Sequence, residues 1–101
     1  MAQAYNLGDQ VVYIIDTNSG DITEDYIKGV VEDGATYSYT FRTSDYNVLE
    51  WQIVGLASAT KATLKTSAAT KLNAQRDIVK AATDTQYAGY VSTAQTQIDA
   101  L

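Results

Sequence analysis

The sequence predicts an α+β chain: a four-stranded antiparallel meander, or a small barrel made from one, followed by a C-terminal helical hairpin. Three observations carry this. Residues 1–56 hold six of the eight tyrosines together with Trp51 and Phe41, whereas residues 57–101 hold 11 Ala and 8 Thr in 45 positions. The charge divides at the same place, with nine acids against Lys28 and Arg42 (−7) before it and five bases against Asp77, Asp84 and Asp99 (+2) after it. Apolar residues alternate in the first part and recur every three or four positions in the second, the periods of strand and helix. The boundaries are therefore a β half over 1–56 and an α half over 57–101, packed on the first half or on a neighbouring subunit.

Each element follows from its residues. Gln10 to Ile15 is a continuous apolar run, with Val11, Tyr13 and Ile15 on one face and Val12 and Ile14 on the other, as in a central strand covered on both sides. Asp16 to Asp21 supplies turn formers, with Asn18 and Gly20 able to take positive φ, so a hairpin leads into a second strand from Ile22 to Val31. Glu32-Asp33-Gly34 turns the chain again. Ala35 to Arg42 alternates Tyr37, Tyr39 and Phe41 with polar residues, the signature of a half-buried strand. Thr43 to Asp45 is the third turn, and Tyr46 to Ile53 forms a fourth strand with Leu49, Trp51 and Ile53 on one face. The facing of Tyr13, Tyr26 and Tyr46 stays open between core and recognition surface. Aromatics gathered on one face suit a sheet that curls into a partly open barrel.

In the second half Leu64, Ala68, Leu72, Gln75 and Val79 form one helical stripe, while Lys61, Lys65, Lys71 and Lys80 can reach water. Thr83-Asp84 reads as a break and N-cap. Tyr87, Val91, Ala94, Ile98 and Leu101 then repeat as a heptad-like seam of two heptads. So short a seam favours a hairpin within the chain, although it also suits contact with another subunit.

With 101 residues there is no room for a two-domain enzyme, and the absence of Cys, His and Pro excludes disulfide scaffolds, imidazole or thiolate metal sites and nucleophile-histidine catalysis. A non-enzymatic protein without cofactor or metal is expected. A net charge of −5 argues against nucleic acid as partner. MAQAYNLGDQ lacks the basic and apolar regions of a leader, and no run approaches the roughly 18 apolar residues of a membrane span. Asp16, Asn18, Gly20, Asp21 and Asp25 resemble the opening of a calcium loop, but Gly and Asp are exchanged and the twelfth position is Ile27 instead of Glu. Turn chemistry is the better reading.

Two surfaces can recognise a partner. Tyr37, Tyr39 and Phe41, with Trp51 nearby, suit either a core or a peptide groove. Asp21, Glu24, Asp25, Glu32 and Asp33 could form an acidic face that fits a basic groove, or simply keep the strand edge solvated.

Two stretches resemble known families. Leu7-Gly-Asp-Gln-Val-Val-Tyr-Ile-Ile15, with the Gly-Asp-Ile turn and Lys28-Gly-Val-Val31, is similar to the opening of small SH3-like barrels of bacterial and bacteriophage proteins, which are binding or scaffolding modules. Asn73 to Gln86 resembles a helix-turn segment near the C-termini of small bacteriophage tail-associated and virion assembly proteins, through Arg76, Asp77, Thr83, Asp84 and Gln86. Thr85 stands where that segment usually has Trp, and Ile78 and Val79 where it has leucines.

This resemblance implies a structural or assembly protein, present in the virion or in the host cytoplasm during assembly. It would act by self-association or by docking on other virion subunits of the capsid or tail, as an oligomer or part of a larger assembly. Trp51, Tyr87, Val91, Ala94, Ile98 and Leu101 are the expected interface. The alternative expectation is an inhibitor or modulator that presents the acidic face to a basic surface of a host protein.

Overall fold

The computed structural model describes residues 3–44, 47–80 and 82–101. Its elements are β1 (Gln10–Asp16), β2 (Asp21–Asp33), β3 (Thr36–Phe41), β4 (Val48–Leu49), a 3-10 turn (Glu50–Gln52), β5 (Ile53–Leu56), α1 (Lys61–Val79) and α2 (Asp84–Asp99). The five strands lie in the order β4-β3-β2-β1-β5, each pair antiparallel. The α+β class and the helical hairpin agree with the sequence. The strand count differs: the expected fourth strand divides into β4 and β5 around the 3-10 turn. Gln52 fastens that turn, donating from Nε2 to the Ile14 carbonyl at 3.0 Å and accepting from Leu49 N at 3.2 Å. Leu49, Trp51 and Ile53 therefore do not share a face: Leu49 is exposed, Trp51 half-buried and Ile53 buried. The Asp45 end of the third turn and the Tyr46 start of the fourth strand, including the facing of Tyr46, lie outside the described residues.

The alternation in β1 separates two cores. Val12 and Ile14 face the helices and pack with Val54, Leu64, Ala68, Leu72, Ala94 and Ile98. Val11 and Tyr13 face the other way, with Ile27, Tyr39, Phe41, Val48 and Ile53. Tyr13 and Phe41 stack with ring centroids 4.2 Å apart. Ile15, expected beside Tyr13, is exposed because the β1–β2 register shifts between Ile14 and Asp16. The first turn needs its glycine: Gly20 has φ +81 and lies so close to Tyr90 of α2 that an added Cβ would be 2.9 Å from the Tyr90 Cα. At the next turn Gly34 (φ +64) begins the two-residue loop between the paired Asp33 and Thr36, as a type II′ hairpin requires.

Thr60 caps α1 by accepting from Thr63 N, and Thr83 caps α2 in a reciprocal capping box with Gln86. The helices pair within the chain, joined by Lys65–Asp99 at 3.0 Å. Leu64, Ala68 and Leu72 are buried as expected, but the stripe fades at its end, where Ile78 and Val79 are exposed. Gln97 anchors α2 to the sheet, accepting from Ile22 N and donating to Asp21 Oδ1, each at 2.7 Å. Ser67 on α1 donates to the Val54 carbonyl of β5 at 2.7 Å.

Candidate functional site

The two cores end differently. The helix-side core is closed by α1 and α2, whereas the aromatic core opens at one end into a groove of about 480 Å³. Each wall comes from a different element. Ala4 and Tyr5 come from the N-terminal segment, Ala35, Thr36 and Tyr37 from the β2–β3 hairpin, Leu49 from β4, Glu50 and Trp51 from the 3-10 turn, and Lys71 from α1. By turning out of the strand after Leu49, the chain brings Trp51 to the groove instead of leaving it on a pleat.

Tyr39 lies beneath the groove and holds two of its lining residues, Tyr5 and Glu50. It is fully buried, and its hydroxyl donates to Glu50 Oε2 at 2.5 Å while accepting from Tyr5 N at 3.3 Å. Tyr5 meets it edge-on, ring centroids 5.9 Å apart. Burial, reinforced by the hydrogen bond to Glu50, pushes the Tyr39 phenol up to about 12. Burial raises Tyr5 as well, and the Glu50 charge adds to the effect. Glu50 Oε2 also accepts from Ala4 N at 3.2 Å. Lys71 is half-buried, and burial lowers its pKa against the opposing pull of Glu50. Lys71 belongs to none of the ion pairs among the described residues. Aromatic walls, a hydrogen-bonded carboxylate and a half-buried ammonium outside the close ion pairs make a recognition site for a mixed apolar and polar group.

Of the expected interface residues, only Trp51 lines the groove. Tyr87, Ala94 and Ile98 are buried inside the chain, Val91 is half-buried there, and Leu101 is exposed. Within the chain most of the seam faces inward: Ala94 and Ile98 belong to the helix-side core, and Val91 packs against it. An intramolecular hairpin has already consumed the apolar face.

The acidic set is not one face. Asp21 accepts from Ser19 Oγ and from Gln97 Nε2, which hold its carboxyl below the usual range. Asp25 is buried and accepts from Thr43 N, Thr43 Oγ1 and Tyr26 N. Glu24 is exposed, while Glu32 and Asp33 are exposed at the far end of β2. In the turn that resembles a calcium loop, Asp16 Oδ1 accepts from Asn18 N at 2.8 Å and the Asp16 carbonyl from Gly20 N at 2.9 Å. Among the described residues no cluster of three or more Asp or Glu is arranged to hold a metal ion, and no helix is long and apolar enough to cross a membrane.

Of the aromatic strand, Tyr39 and Phe41 serve the core and Tyr37 lines the groove. Tyr5, Leu49, Glu50 and Lys71 were not expected at a site. Lys71 in particular occupies a helix position that reads as solvent-facing, and only the fold places it beside the 3-10 turn. No protein-family model matches the chain, and neither a curated protein nor a solved structure shows significant similarity to it.

Proposed function

We propose that the protein is a non-enzymatic structural or assembly component of a bacteriophage particle that docks on a capsid or tail component through the aromatic groove. The observation that carries the docking reading is the meeting of Tyr5, Tyr37, Leu49 and Trp51 around one opening, with Lys71 and Glu50 at its edge. Tyr and Trp are frequent anchors of protein interfaces because each combines a large apolar surface with a polar group. The phage assignment is supported by the likeness of Asn73 to Gln86 to tail-associated proteins and by the barrel-like opening strands. Location in the virion, or in host cytoplasm during assembly, belongs to the same proposal.

The second reading, an acidic modulator of a basic host protein, has weaker support because Asp21 and Asp25 are engaged internally and only Glu24, Glu32 and Asp33 are exposed.

The test is co-sedimentation of the purified chain with particles or particle components, compared with Trp51→Ala. Retention of the wild type and at least tenfold weaker retention of the variant, with unchanged circular dichroism, is the expected outcome. A wild type that is monomeric and never retained overturns the proposal. Retention that collapses between low and moderate salt but ignores Trp51→Ala favours the acidic reading.

A further inference from the structure

The groove has a chemical polarity that narrows what it accepts. On one side Tyr37, Leu49 and Trp51 present apolar surface, Leu49 being 48% exposed. On the other side the two charged groups differ in state. Glu50 already accepts from the Tyr39 hydroxyl and from Ala4 N, so its carboxylate has internal partners. Lys71 is half-buried and outside every ion pair among the described residues. An ammonium partly removed from water gains most from an incoming anion, because the attraction is less screened there than at the open surface.

Resting on the docking reading above, we infer that the groove takes a partner-protein segment carrying an aromatic or branched apolar side chain close to a carboxylate. The apolar group lies against Trp51 and Tyr37, and the carboxylate pairs with Lys71 Nζ. The volume of about 480 Å³ suits one large side chain with its neighbouring backbone. A cationic segment would bring like charge against the half-buried Lys71. A nucleic-acid strand could stack on the same rings, but a chain of net charge −5 opposes its phosphates.

Trp51 is the only tryptophan, so its emission reports the groove directly. The probes are N-acetyl-phenylalanine and its amide, which share a ring and differ in the carboxylate. The acid should shift Trp51 emission with saturation in the millimolar range, as expected of so small a ligand, and the amide should bind about tenfold more weakly. Lys71→Met should remove that preference without changing the helical circular dichroism, and Lys71→Arg should keep it. Equal binding of acid and amide, or a preference that survives in Lys71→Met, overturns the carboxylate assignment. Absence of any emission change with either probe overturns the groove as a site. Binding of an oligothymidylate in place of the acid, or emission that depends on protein concentration alone, overturns the assignment in favour of nucleic acid or a second copy. Particle retention separates this inference from the docking reading. Lys71→Met retained like wild type while Trp51→Ala is lost leaves docking intact and removes the carboxylate.

Discussion

The helix-side and aromatic cores share β1 yet are built from different materials. Val12, Ile14, Val54, Leu64, Leu72 and Ile98 fill the first with aliphatic groups that carry no polar atom, and Ala68 and Ala94 allow the two helices to approach each other and the sheet. Tyr13, Tyr39 and Phe41 fill the second, and its phenols bring polar atoms that need partners. Aliphatic packing can close completely. A core ending in Tyr39, Glu50 and Tyr5 remains polar at its rim, and there the groove opens. The surface able to recognise a partner thus follows from the choice of core residue.

The largest effect should come from emptying the aromatic core. Phe41 is fully buried and stacked on Tyr13, so Phe41→Ala should cost about 3–5 kcal/mol, against about 2–5 kcal/mol for Ile98→Ala in the other core. Because β1 lends alternate side chains to both, the two cores should melt together. Urea unfolding followed by Trp51 emission and by helical circular dichroism should superimpose in the wild type and in both variants. Two separated transitions would break the idea of one shared unit.

Next in size is the contact that holds α2 against the first hairpin. Gly20→Ala places a Cβ against the Tyr90 backbone at positive φ and should cost about 3 kcal/mol, loosening α2. Gly34→Ala meets no atom within 4 Å and pays only for its positive φ, about 1 kcal/mol. Melting temperatures of the two variants measure the difference. Equal losses would mean that Gly20 matters for its turn and not for the helix behind it.

The parts legible in the sequence are those that local periodicity dictates. The apolar run Val11 to Ile14 announced a strand covered on both faces, and Thr83 announced the second helix. The 3-10 turn was hidden because Glu50-Trp51-Gln52 contains no glycine and continues the alternation of Leu49 and Ile53, while its anchor is the Ile14 carbonyl, 38 positions before Gln52. The groove is half legible: the aromatic pattern points to Trp51 and Tyr37, but Glu50 and Lys71 come to line one groove only through the docking of α1. The acidic residues misled for the same reason. Asp21 finds its partner Gln97 at a separation of 76 positions, which no local pattern reveals.

A smaller effect than that of Gly20→Ala concerns Asp25 and Asp21, carboxylates with internal partners that lie beside different cores. Burial by itself would raise Asp25, but the hydrogen bonds from Thr43 Oγ1, Thr43 N and Tyr26 N, with the Arg42 charge, outweigh it and hold the group below the usual carboxylate range. A carboxyl depressed on folding stabilises the fold above its unfolded pKa, near pH 4, and that stability is lost as pH falls through the folded value. Asp25→Asn should therefore cost about 1–2 kcal/mol at pH 7 and less at pH 3, flattening the acid limb of the stability curve. Asp21 is also depressed, by Ser19 and Gln97, but it lies at the surface, where water replaces lost partners, so Asp21→Asn should flatten the curve less. Urea midpoints at pH 7 and pH 3 decide between them. A larger change from Asp21→Asn would move the more sensitive electrostatic contact to the helix side, and the contrast between an inert aliphatic core and a polar aromatic one would no longer hold.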